Sequence, residues 1–209
     1  MRRKILAANW KMNFLQSDVE NFFNALLPKV SGGKNRIIIC APYTCLQRAV
    51  ERTKNADIEI GAQNVHWAES GAFTGEISAR MLAELGVKNV IVGHSERRQY
   101  FGETNETVSK RAKAALEAKI SPIVCVGETL EQRKGGQTES VLAKQITESF
   151  EGITREELAV VVVAYEPVWA IGTGVTATAA EAQQTIAFVR KTFFSLYGES
   201  AAQSLSILY

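Results

Sequence analysis

The sequence is poor in the residues that build metal centres and disulfide frameworks: among 209 residues there are two histidines and three cysteines, Cys40, Cys45 and Cys125. An odd number of scattered cysteines matches no zinc-ligand spacing, and the carboxylates form no calcium-loop pattern, so no metal is expected. No serine stands in G-x-S-x-G and there is no P-loop, which leaves serine-hydrolase and nucleoside-triphosphate chemistry without support. No window supplies the ~18 consecutive apolar residues of a membrane span. The basic start Met1-Arg2-Arg3-Lys4 leads into an apolar stretch broken at Asn9, Lys11 and Asn13, which is not a secretory signal. Charge of one sign is also missing: 24 Lys and Arg against 22 Asp and Glu, interleaved, leave a net +2. Such a chain has no extended field for nucleic acid or an anionic membrane. Cys40 and Cys125 lie inside apolar runs, as reduced thiols of a cytoplasmic protein do, and the sequon Asn105-Glu106-Thr107 is then expected to stay unmodified. With no linker, repeat or low-complexity segment, one domain over residues 1–209 is expected.

What the chain does have is a rhythm. Short β-branched runs recur at Ile5–Asn9, Ile37–Ala41, Ile58–Gln63, Val90–Gly93, Ile120–Val126, Ala159–Tyr165 and Leu205–Tyr209. They are continuous rather than alternating, as in Val160-Val161-Val162-Val163, which predicts strands covered on both faces. Helical patterns lie between them at Ser17–Val30, Tyr43–Arg52, Ser78–Leu85, Thr104–Lys119, Thr138–Phe150 and Ala179–Tyr197. Ser17 with Glu20 reads as a capping box, and Gly32-Gly33, Gly86 and Gly198 stand where helix-ending glycines are expected. Six β-α units followed by a bare strand predict a parallel α/β fold, either a doubly wound sheet or a (β/α) barrel; spacing alone does not separate the two.

In parallel α/β folds the working residues collect at the C-terminal ends of strands. Here those ends carry Asn9 and Lys11, then Gln63 and Asn64, then His94, Ser95 and Glu96, then Glu128, and finally Glu166. Taken singly, each is most often a solvated cap. A lysine, a histidine and a glutamate at three strand ends together suggest one polar cavity. The stretch Gly172-Thr173-Gly174-Val175-Thr176-Ala177 fits G-x-G-x-x-A, but it starts seven residues beyond Tyr165 and no acidic residue ends a strand about 20 positions on, so a dinucleotide site is not expected. Pro167-Val168-Trp169-Ala170-Ile171-Gly172-Thr173-Gly174 has a stiff start, an apolar middle and a glycine-rich end. That composition suits a lid closing over a ligand.

Four segments, Ala8-Asn9-Trp10-Lys11-Met12-Asn13, Gly93-His94-Ser95-Glu96-Arg97-Arg98, Cys125-Val126-Gly127-Glu128-Thr129 and Ala164-Tyr165-Glu166-Pro167-Val168-Trp169-Ala170-Ile171-Gly172-Thr173-Gly174, together resemble the triosephosphate isomerase family. Gly61-Ala62-Gln63-Asn64 and Gly71-Ala72-Phe73-Thr74-Gly75-Glu76 fit as well. The resemblance implies the (β/α)8 TIM barrel, a triose phosphate substrate and no cofactor. It makes Glu166 the base, His94, Lys11 and Asn9 its catalytic partners, Ser95 the rest for the glutamate and Glu96 a neighbour of Lys11. Gly172 would bind the substrate phosphate, Pro167, Val168, Trp169, Ala170, Ile171, Gly172, Thr173 and Gly174 would form the lid, and Phe73, Thr74 and Gly75 would enter the partner of a homodimer. Val175 and Ala179 depart from the lysine and proline frequent in relatives, both at the lid's exit. The family pattern continues after strand seven with two glycine-rich phosphate-binding turns and an eighth strand, whereas this sequence stops at Tyr209. The resemblance therefore implies an incomplete barrel whose turnover is weak beside that of a full-length relative, since remote phosphate binding drives catalysis. A reading of another class stays open at this point, in which a non-catalytic barrel fragment serves as an assembly or binding module with its edge strands satisfied by a partner.

Overall fold

β-branched runs become strands because their side chains pack well on a pleated surface. The structure, a computed structural model, describes residues 2–30, 32–171 and 176–209. Among these the elements run β1 (Ile5–Asn9), α1 (Gln16–Val30), β2 (Arg36–Ala41), α2 (Tyr43–Thr53), β3 (Glu59–Ala62), α3 (Ala79–Glu84), β4 (Asn89–Val92), α4 (Ser95–Phe101), α5 (Asn105–Glu117), β5 (Ser121–Val126), α6 (Leu130–Lys134), α7 (Thr138–Ser149), α8 (Arg155–Leu158), β6 (Val162–Tyr165), α9 (Ala179–Tyr197), α10 (Glu199–Ser204) and β7 (Ser206–Leu208). The chain divides into two compact units, Met1–Val92 with Ala114–Pro122, and Gly93–Lys113 with Ile123–Tyr209.

In the first unit β1, β2, β3 and β4 pair in parallel and in chain order, from Ile5 opposite Arg36 to Ala62 opposite Val90. Parallel neighbours require crossovers, so their C-terminal ends, Asn9, Ala41, Ala62 and Val92, all face one way. β4 is wholly buried, and α2 turns Cys45, Leu46, Ala49 and Thr53 inward at helical spacing. The opposite strand ends are tied by charge. Arg36 donates to both Glu59 oxygens at 2.8 Å and to Asn89 Oδ1 at 2.8 Å, and Asn89 Nδ2 returns a bond to Glu59. Partial burial raises the Glu59 pKa, but bonds from Arg36 and Asn89 outweigh it and hold the carboxyl below its usual value. That stabilisation is present above the ordinary carboxylate pKa and is lost as pH falls.

In the second unit β5, β6 and β7 pair in parallel, from Ile123 opposite Val162 to Ala164 opposite Leu208. α7 contributes buried Leu142, Ile146 and Ser149, and α9 contributes Thr185, Val189 and Phe193. Phe150 meets Phe193 edge to face at 4.8 Å.

Several sequence expectations shift. Helix α1 begins at Gln16, and Asp18 Oδ2 accepts the Leu15 N–H, so Ser17 lies inside the helix instead of capping it. The run Ala159–Tyr165 is strand only from Val162. A capping box of Thr154 and Glu157 opens α8, and its helical bonding continues through Val161, leaving Val160 in a turn and 53% exposed. The short helices α4, α6, α8 and α10 have too few residues for a periodic signal. β1 and β7 are less covered than continuous apolar runs predict: Leu6 is exposed and all of β7 is half-buried.

Burial raises the Cys40 thiol from 9.0 to about 12, and burial together with the Glu128 charge raises the Tyr165 phenol from 10.0 to about 12. The unfolded chain gives up both protons first, so stability is complete below pH 9 and falls as pH rises toward 12. Urea midpoints are expected to drop between pH 9 and 11. Cys40→Ala should flatten that slope, and an unchanged slope would contradict the linkage.

Candidate active site

His94 follows β4 and caps α4. Its Nδ1 accepts the Glu96 backbone N–H at 3.2 Å, a place open only to an unprotonated nitrogen, so in this arrangement the imidazole is neutral with its hydrogen on Nε2. The Glu96 carboxylate lies farther from Nδ1, at 3.6 Å, beyond hydrogen-bonding reach. Nε2 stands 3.0 Å from Glu166 Oε1, and the Ser95 backbone N–H donates to Glu166 Oε2 at 3.2 Å. The carboxylate is thus docked through both oxygens, largely out of water. Ser95, Arg98, Cys125, Gly127, Glu166 and Val168 help line an adjoining cavity of about 320 Å³.

The main chain around this pair is tightly set. Gly93 has φ +71° with Val108 against its Cα, a position that a side chain would strain and crowd. Its N–H donates to buried Glu103 at 3.1 Å, and Arg97 bonds the same carboxylate. Arg98 donates to the Gly93 carbonyl at 2.8 Å and to the Cys125 carbonyl at 3.4 Å, linking the exits of β4 and β5. Burial lowers the Arg98 pKa against the pull of nearby Cys125, Glu103 and Glu166. Gly127 is pressed on Glu166 itself: a Cβ there would fall 1.8 Å from the Glu166 carbonyl oxygen. Gly127→Ala must displace that backbone, so turnover is expected to fall ~100-fold and stability by about 1–3 kcal/mol. Steady-state kinetics and a thermal melt read both, and wild-type kinetics would show that the close approach is immaterial.

The segment after Glu166 starts at Pro167 and makes one turn of 3-10 helix, Val168–Ala170. Trp169 is buried and its Nε1 donates to Glu128 at 3.0 Å; Ile171 is partly exposed. Glu128 is completely buried and also accepts from the Tyr165 hydroxyl at 3.1 Å and from Arg133 at 3.2 Å. Arg133 stacks 4.7 Å above the Trp169 ring and reaches Glu181 at 3.0 Å, where Thr178 and Glu181 cap α9. Desolvation lowers the Arg133 pKa, but Glu181 and Glu128 raise it further, and the net shift is upward. Both flanks of the expected lid are therefore tied to one guanidinium. Gly172, Thr173 and Gly174 lie outside the described residues.

In the first unit, Asn9 ends β1 and its Oδ1 accepts the Lys11 N–H at 2.9 Å. Lys11 is in the left-handed region, φ +53°, uncommon for a residue with a Cβ and typical of functional loops. Gln63 Nε2 donates to the Lys11 and Cys40 carbonyls, both at 3.0 Å, and Trp10 stacks on Phe14 at 4.2 Å, so the turn is held from both sides. The loop carrying Phe73, Thr74 and Gly75 is anchored by His66, whose ring packs 4.3 Å from Phe73 and whose backbone N–H bonds the Ile77 carbonyl at 2.8 Å. Phe73 remains 46% exposed. Among the described residues no group of three or more His, Cys, Asp or Glu could hold a metal, and no helix is long and apolar enough to cross a membrane.

Parallel strands alternating with helices define an α/β protein, and a carboxylate docked on an imidazole marks its candidate active site. The family model described as "Triosephosphate isomerase" matches residues 4–209. Curated proteins named triosephosphate isomerase from Clostridium botulinum (strain Loch Maree / Type A3) and Clostridium novyi (strain NT) are 49% and 50% identical, each over all of this chain and 84% of their own length. One from Alkaliphilus oremlandii is 46% identical over the same shares. The chain belongs to the triosephosphate isomerase family, an isomerase of the α/β TIM barrel class.

The sequence singled out Asn9, Lys11, His94, Ser95, Glu96 and Glu166, and the structure brings His94, Ser95 and Glu166 into contact. Glu103, Arg98, Arg133 and Gln145 were not singled out. The available signal for Gln145 was an amide three residues from Leu142 and one from Ile146, on the apolar stripe of a helix.

Proposed function

We propose that the chain interconverts dihydroxyacetone phosphate and glyceraldehyde 3-phosphate, with Glu166 moving a proton between the two carbons through an enediolate. The observation that carries this reading is the contact of the Glu166 carboxylate with the neutral imidazole of His94. A carboxylate removes a proton next to a carbonyl only if the negative charge growing on oxygen is stabilised, and an N–H aimed at that oxygen does so. In the docked arrangement both Glu166 oxygens are occupied, one by His94 and one by Ser95. Substrate entry would give the Nε2–H a carbonyl oxygen instead and release the carboxylate to act as base.

Family membership supports Lys11 and Asn9 as further partners of the substrate oxygens, Glu96 as a neighbour of Lys11, and Gly172 as a phosphate-binding N–H. Residues Pro167 to Gly174 serve as the lid, which keeps water from an enediolate phosphate that would otherwise lose phosphate. No cofactor takes part, because a proton shift within one molecule needs neither hydride carrier nor metal. The exposed Phe73 on an anchored loop supports a homodimer through Phe73, Thr74 and Gly75, residues 1–209 act as one domain, and three buried cysteines suit a cytoplasmic protein.

The test is a direct assay with dihydroxyacetone phosphate. Formation of glyceraldehyde 3-phosphate above the uncatalysed rate, abolished by Glu166→Gln, is the expected result. A folded chain without such turnover would overturn the reading in favour of a binding or assembly role.

A further inference from the structure

Gln145 stands on α7 beside the buried stripe of Leu142, Ile146 and Ser149. An amide there is costly unless its polar ends are bonded. They are bonded to a single residue: the Gly127 N–H donates to Oε1 at 2.8 Å, and Nε2 donates to the Gly127 carbonyl at 3.0 Å. Gly127 directly follows β5, where the Glu166 backbone passes. The Glu166 N–H bonds the Val126 carbonyl at 2.8 Å, and the Glu166 carbonyl occupies space that a Cβ on residue 127 would need. A glycine without a side chain has little packing of its own to hold it and the widest conformational freedom. Gln145 and Glu166 also line the same cavity.

We propose that Gln145 is a positioning residue for the isomerisation: by clamping both polar groups of Gly127, it fixes the surface on which the Glu166 main chain rests and so sets the reach of the carboxylate. Leucine would fill the stripe on α7 equally well but could not hold the peptide. Both ends of the amide are taken up by Gly127, so the loss of the clamp is expected to act on turnover and not on binding. The inference rests on the reading of Glu166 as base.

Gln145→Ala and Gln145→Glu test it, the second because a carboxylate still accepts the Gly127 N–H but turns an acceptor toward the Gly127 carbonyl. Both are expected to lower kcat ~10- to 100-fold with KM within about twofold, the pattern of a displaced reacting group. In a Glu166→Asp background, where the carboxylate is already withdrawn, Gln145→Ala should cost less than about threefold more, because coupled residues are not additive. Unchanged kcat in a folded variant, or the same fractional loss in both backgrounds, would overturn the proposal, as would failure of both variants to fold. If Glu166→Gln retains turnover, the base assignment itself falls. If Glu166→Gln is inactive and Gln145→Ala is unimpaired, only the clamp falls.

Discussion

Glu166→Gln is expected to reduce kcat by roughly 10⁴-fold while leaving the protein folded, since a positioned general base is worth up to about that factor. The substitution keeps the size of the side chain, but its amide has one oxygen where the carboxylate uses two, so it accepts from only one of His94 and Ser95 while the proton-accepting capacity disappears. Glu166→Asp asks a different question. It keeps the base but withdraws it by one methylene, and misplacement on the order of 1 Å costs ~100-fold. The ordering of the two variants is the informative result: Asp between wild type and Gln. Equal activity in all three would mean that the carboxylate docked on His94 is a structural ion and not a base.

The second large effect is at His94. Glutamine there offers an N–H but cannot both accept the Glu96 N–H at the same site and aim a rigid donor at Glu166. Removing one preorganised donor to a developing oxyanion costs ~10²–10³ in kcat, and His94→Gln is expected in that range with little change in the melting temperature. The imidazole is fixed at its Nδ1 side by the start of α4, so the substitution should also loosen Glu166, and the effects of His94→Gln and Glu166→Asp should be less than additive. Full additivity would mean that the two residues act separately.

How far the site was readable in the sequence depended on the range of the interactions that build it. Continuous valine and isoleucine runs separated by amphipathic stretches reveal parallel strands because burial on both faces demands that composition, and the strand ends then direct attention to Asn9, Lys11, His94 and Glu166 without any contact being known. Val160 shows where this fails: its neighbours look like strand, yet the capping box of Thr154 and Glu157 draws it into a helical turn. Ser17 fails in a similar way, because Asp18 reaches back to Leu15 and starts the helix early. Glu128 stood at a strand end with no assigned task, since its partners Tyr165, Trp169 and Arg133 come from three other segments. Gln145 and Gly127 are 18 residues apart and joined by side-chain-to-backbone bonds, which no periodic pattern records.

The central claim is that a proton taken up by Glu166, exchangeable with water, is delivered to the neighbouring carbon. Conversion of dihydroxyacetone phosphate in deuterium oxide measures this directly, with the product trapped and its isotope content read by mass spectrometry or nuclear magnetic resonance. Deuterium at C2 of the glyceraldehyde 3-phosphate, with labelling lost together with turnover in Glu166→Gln, is the predicted result. Product formed with only the substrate's own hydrogen at C2 would mean that the transferred hydrogen never exchanges with water, and would contradict the account.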